Sequence, residues 1–166
     1  MLGFLGFPIG GLVAMSTVGA IDSTAAALAG GALTGVVIGA AQSLASPPLP
    51  RLPWIAATTI GLSVGLAIGA TAVDFDTSLR SLAFQGAISG VAIGVAQTLV
   101  LARSTSISTW RAVAWAPFLA MCWATGWAIT TSAGVDVESQ YTVFGATGAL
   151  VVTGLTAILP LALRRR

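Results

Sequence analysis

Residues Gly31–Gln42 read GALTGVVIGAAQ, and residues Gly86–Gln97 read GAISGVAIGVAQ. Eight of the twelve positions are identical at an offset of 55, and two of the other four exchange Leu for Ile and Thr for Ser. Both segments place a glycine at every fourth position, which on an α-helix puts the glycines on one face. In water such a helix is weak, since each interior glycine costs about 1 kcal/mol relative to alanine. In lipid the backbone must bond to itself, and glycine lets a neighbouring helix come close. The segment therefore points to a packed membrane helix, written twice.

Composition agrees. The 166 residues are 56% hydrophobic and only 7% charged, and mean hydropathy is +0.96; soluble domains carry roughly 25% charge. Seven arginines, five acids, no lysine and no histidine give a net charge of +2. These arginines are scattered and form no basic patch, which argues against nucleic acid as a partner. The single cysteine, Cys122, excludes an internal disulfide, and the lack of histidine removes the common zinc and haem ligand sets. Cys122 lies in an apolar run beside Trp123 and is read as a small packing residue, with a reactive thiol as the alternative.

Six windows are long and apolar enough to cross a bilayer, for which roughly 20 residues are needed. They run approximately over Leu2–Ile21, Ala25–Ala45, Trp54–Val73, Leu82–Ala102, Ala112–Ala133 and Tyr141–Leu163. The small residues of VGA before Ile21 resemble a leader-peptidase site, but no Lys or Arg precedes the apolar run, so the first window is read as a span. Arg51, Arg103, Arg111, Arg164, Arg165 and Arg166 fall on one side of this threading, and Asp22, Asp74, Asp76, Asp136 and Glu138 fall on the other with Arg80. The positive-inside bias then puts both termini in the cytoplasm.

The offset of 55 also carries Gly6 onto Gly61 and Gly10 onto Gly65, and an offset of 61 carries Trp54 and Gly65 onto Trp115 and Gly126. The expected fold is thus an all-α integral membrane protein with six transmembrane helices. They form three parallel two-helix repeats in a pseudo-threefold arrangement. It is one transmembrane domain, with units of approximately 1–50, 51–111 and 112–166.

A tryptophan-led helix with spaced glycines, followed by GxxxGxxxGxxQ near an arginine, resembles a group of uncharacterised multi-pass bacterial membrane proteins built from two-helix repeats. The resemblance rests on GALTGVVIGAAQSLA, QGAISGVAIGVAQTLVLAR and the helices led by Trp54 and Trp115. It implies a bacterial inner-membrane location and no particular activity. In that group an aromatic usually follows the glutamine, where this chain has Ser43 and Thr98. In length and span count alone, the chain is also similar to the small six-helix substrate-binding components of energy-coupling vitamin transporters.

Helix-packing positions are expected at Gly6, Gly10, Gly31, Gly35, Gly39, Gly61, Gly65, Gly69, Gly86, Gly90, Gly94 and Gly126. The alternative is that some of them line a narrow conduit. Gln42, Gln97 and, in the third unit, Thr156 are candidates either for interhelical hydrogen bonds or for a polar ring at the inner mouth of a pathway. The acids Asp22, Asp74, Asp76, Asp136 and Glu138 favour the N-terminal ends of the helices that follow them, with Asp22 capping the second, or converge as an outer rim that attracts cations. Trp54, Trp110 and Trp115 are expected at the inner membrane interface as belt anchors. Trp123 and Trp127, deeper in the fifth span, fill space opposite small residues or stack on a flat hydrophobic ligand.

No ionisable side chain stands in the middle of a span, which argues against ion-coupled transport. No catalytic triad, phosphate loop or metal-ligand spacing is present. The expected function is non-enzymatic: a compact accessory or structural component of a membrane complex, without cofactor or metal. Its partners are then the lipid bilayer and either a membrane protein or a second copy. The alternative is a channel, facilitator or binding component for a small neutral or lipophilic solute.

Overall fold

A computed structural model describes residues 2–104, 108–134 and 146–157. Over these the chain is all-α: α1 (Leu2–Val18), α2 (Thr24–Ala45), α3 (Arg51–Ala72), α4 (Leu79–Ser104), α5 (Thr109–Ser132) and α6 (Ala146–Thr156). Four of them, α2 to α5, are long and apolar enough to cross a membrane. α1 has 17 residues, about 25 Å at 1.5 Å per residue, and α6 is described over 11.

Helix ends follow capping chemistry more closely than hydropathy. The apolar windows mark what fits hydrocarbon, whereas a helix continues until its backbone groups find another partner. α3, α4 and α5 accordingly begin three residues ahead of the expected spans. α1 stops three residues short of Ile21, because Gly19 takes a left-handed φ of +83° and its N–H bonds to Met15 O. Asp22 does not cap α2: Ser23 does, its hydroxyl accepting from Ala26 N at 3.2 Å. α3 ends in a Schellman motif in which Asp74 N donates to Thr71 O and Phe75 N to Ala70 O. Asp74 and Phe75 both hold positive φ, 52° and 57°.

Each helix packs on its neighbours in chain order, and among the described residues α6 returns to meet α1, which closes a ring. Neighbours run antiparallel, as the glycine contacts show: Gly31, Gly35 and Gly39 of α2 lie against Leu62, Thr59 and Ile55 of α3. One end of the ring therefore carries Arg51, Arg103 and Arg111, and the other Asp22, Asp74, Asp76 and Arg80. We call these the arginine end and the acid end.

Large aliphatic side chains point outward, among them Leu12, Val36, Ile60, Ile68, Val91, Val95 and Met121. The interior is also apolar, with Ile38, Leu62, Leu66, Leu82 and Ile93 buried. A helix hydrophobic on all sides is what a bilayer permits and water does not. In the ring's middle, Phe7 of α1 reaches Trp123 of α5, ring centroids 6.0 Å apart, and both are buried.

Candidate functional site

From α1 to α4 the spaced glycines share one directional rule: each set faces the next helix in the chain. On α1, a Cβ added to Gly6 would meet Ile38 Cα at 3.0 Å, and one on Gly10 would meet Thr34 O at 3.2 Å. On α2, Gly35 would meet Thr59 Cα at 2.6 Å; on α3, Gly61 would meet Ile93 Cα at 2.6 Å and Gly65 would meet Ser89 Cα at 2.8 Å. Gly69 stands against Gln85, Gly86 against Trp123 and Trp127, and Gly94 against Ala116. The Gly126 carbonyl of α5 stands against Gly148 of α6. Helix main chains thus touch where any side chain would separate them.

Hydroxyls reinforce these seams. Thr34 donates to Gly10 O at 3.2 Å, Ser63 to Leu28 O at 2.7 Å and Thr98 to Ala112 O at 2.7 Å. Each joins adjacent helices.

Near the arginine end the interior holds a connected polar cluster. Trp54 Nε1 donates to Gln42 Oε1 at 3.0 Å, and Trp115 Nε1 to Gln97 Oε1 at 2.8 Å. Gln97 Nε2 donates to Thr58 Oγ1 at 2.9 Å, with a longer contact to Gln42 Oε1 at 3.5 Å. Thr58 in turn donates to Trp54 O at 2.9 Å. Each glutamine thereby accepts the indole of the tryptophan that leads the following helix. The cluster links α2, α3, α4 and α5 and leaves both Gln97 amide groups engaged, as a buried amide requires.

This alters the expected place of two tryptophans. Trp54 and Trp115 are buried, 1% and 7% exposed, and turn inward; Trp110, at 68%, is exposed, with Arg111 over its ring at 5.3 Å. A belt residue is recognised from nearness to a span end, which these share. The available signal was pairing: in both units a glutamine near a helix end precedes, across one loop, a tryptophan near the next helix start. Trp123 and Trp127 are buried as well, and Trp127 occupies the space that Gly86 leaves.

Thr156 does not join the glutamines. Its hydroxyl donates to Val152 O within α6 at 2.8 Å. On that side of the ring, a cavity of about 130 Å³ opens among Gln42, Ser46, Trp54, Trp115, Thr153 and Thr156, with Ala45, Leu49 and Ala157 completing the wall. α3 and α5 are not neighbours, yet both line it, so the cavity lies inside the ring at the arginine end.

At the acid end, Asp22, Asp74 and Asp76 are exposed. Among the described residues no three acids gather as a metal-binding group; Asp136 and Glu138 lie outside the described residues. Ser78 donates to Asp76 Oδ2 at 2.5 Å, and this bond, aided by Ser81, holds the Asp76 carboxyl below the usual carboxylate range. Ser78 Oγ also accepts from Ser81 N at 3.3 Å, capping the start of α4. Cys122 is buried in the interior.

Comparison with protein-family models, with curated proteins and with solved structures finds no match.

Proposed function

We propose that this chain is a non-enzymatic integral membrane protein of six spans, acting as a compact accessory or structural component of a membrane complex. The observation that carries this reading is how the interior is occupied. Phe7, Trp123 and Trp127 fill its middle, and the Trp54–Gln42 and Trp115–Gln97 bonds hold its helices together. Such an interior offers rigidity, and its outward faces of Leu, Ile and Val suit lipid or a neighbouring apolar protein.

The like sequence units and the ring order support a pseudo-threefold arrangement of three parallel hairpins. The arginines at one end support a cytoplasmic placement of that end, and the resemblance noted above supports a bacterial inner membrane. Cross-linking in native membranes followed by native mass spectrometry in mild detergent tests the reading. A defined assembly, with other proteins or with further copies, is the expected result. A lone monomer in both measurements refutes it.

The second reading is a conduit or facilitator for a small neutral solute, favoured by the cavity at the arginine end. Its path would have to pass the Phe7–Trp123 contact. Solute flux in proteoliposomes that rises when Phe7 is replaced by Ala, and is absent from protein-free vesicles, would favour it over the first.

A further inference from the structure

We infer that the cavity at the arginine end is a binding site for one small neutral molecule bearing a hydroxyl or amide group, of the size of a single aromatic ring. The inference stands apart from the accessory role and needs no partner protein.

Size comes first. The cavity measures about 130 Å³, and an apolar cavity of ~150 Å³ takes up benzene. One ring or a short branched chain fits; a steroid or an acyl chain as a whole does not.

Charge comes next. Among the described residues no ionisable side chain lines the wall, and the polar groups behind it, Gln97 and Thr58, are uncharged. A charged guest would lose its hydration with no counter-ion in reach, whereas a neutral one would not.

The polar groups then select among neutral guests. Gln42 Oε1 is taken by Trp54 and Gln97, and its Nε2 has no partner among the described residues, so this amide keeps donors to offer. Thr153 Oγ1 is buried with no hydrogen-bond partner among them. A guest with one hydroxyl or amide can accept from the first and, once the Thr153 side chain rotates its hydroxyl toward the cavity, bond to the second, and a bare hydrocarbon satisfies neither. The flat walls, Trp54 and Trp115, are held by their own N–H bonds to the glutamines, so the site is formed before a guest arrives.

The position also has a structural origin. Two indole–amide pairs fill the interior on the α2–α3 and α4–α5 sides. On the α6 side Thr156 stands in place of a glutamine, and α1 contains no tryptophan. The interior there is left open where a third pair would close it.

The test uses the full chain in lipid nanodiscs and ¹⁹F NMR with 4-fluorophenol, fluorobenzene and 4-fluorobenzoate as probes, against empty nanodiscs. Saturable binding of 4-fluorophenol at one site per chain is expected, with fluorobenzene at least several-fold weaker and 4-fluorobenzoate at the level of empty discs. Thr156→Phe, which places a ring in the cavity, should abolish the saturable component. Thr153→Val, which keeps volume and removes the hydroxyl, should weaken 4-fluorophenol several-fold and leave fluorobenzene unchanged, and it serves if Thr156→Phe does not fold. Non-saturable uptake matching empty discs, or equal binding of the phenol and the benzoate, overturns the inference. So does loss of neither affinity nor stoichiometry in both variants.

Discussion

Replacing Gly90 by alanine exchanges one hydrogen for a methyl group, and in this ring its carbon has nowhere to go. It would sit 2.5 Å from Leu119 O and 2.7 Å from Ala120 Cα and Leu119 C. Ordinary carbon contacts lie near 3.5–4.0 Å, so α4 and α5 must part by about 1 Å. All three obstructing atoms are backbone, and no rotamer change relieves them. A gap of about that size forfeits roughly a quarter to a half of each contact's attraction along the seam, and forced overpacking of this kind costs about 1–3 kcal/mol. Alanine's better helix propensity, about 1 kcal/mol in water, offsets little here, because in lipid the separated helices stay helical as well. Gly154→Ala is the matched control, since among the described residues nothing lies within 4 Å of its added Cβ. Reversible unfolding of both variants in mixed micelles, followed by the emission of the buried tryptophans and a thermal midpoint, should show Gly90→Ala destabilised by about 1–3 kcal/mol and Gly154→Ala unchanged or slightly more stable. Equal effects at the two sites would refute the argument that backbone contact between α4 and α5 holds this pair together.

Three further outcomes follow from the same geometry. Gln97→Leu strips the acceptor from Trp115 Nε1 and the donor from Thr58, so it should cost roughly 0.6–2 kcal/mol by the same unfolding measurement and shift Trp115 fluorescence; unchanged stability and emission would contradict the cluster. Asp74→Gly relieves a left-handed residue at the end of α3 and should stabilise by about 0.5–1 kcal/mol, with a loss of stability as the contrary result. Ser78→Ala removes the main bond to the Asp76 carboxylate, and ¹³C NMR of Asp76 should show its titration midpoint rising toward the ordinary carboxylate value. Because this pKa is depressed in the folded chain, the Ser78 contribution is in place above the ordinary carboxylate pKa and is lost as pH falls through the folded value, so the two proteins should converge in acid. A midpoint that stays put would assign the shift elsewhere.

The glycine positions show where sequence reasoning reached and where it stopped. Spacing by four fixes that Gly31, Gly35 and Gly39 share a face, because helical periodicity is a local property of the chain. Which helix that face meets is not local. In a soluble protein the polar side of a helix would orient it, but here the outward face carries Leu, Ile and Val as the inward face does, so hydropathy gives almost no phase. Gln42 and Gln97 stood out as polar residues needing partners, yet their partners are tryptophans 12 and 18 residues away across loops of different length. The changing separation conceals the pairing in any alignment by fixed offset. Asp22 was the nearer acid to α2, and Ser23 became the cap because the side chain at the N-cap itself reaches the free N–H groups of the first turn.

By itself, the sequence determined that this chain is helical, apolar enough for a bilayer, glycine-faced and charged unevenly between its two ends. Those properties are sums over neighbouring residues and need no knowledge of distant ones. Tertiary structure alone decided the ring order, the burial of Trp54 and Trp115 against Gln42 and Gln97, the Phe7–Trp123 contact in the middle and the open volume beside Thr156. Each of these depends on how far every helix is rotated about its own axis. In a chain apolar on all sides, only the simultaneous fit of all neighbouring backbones sets that rotation.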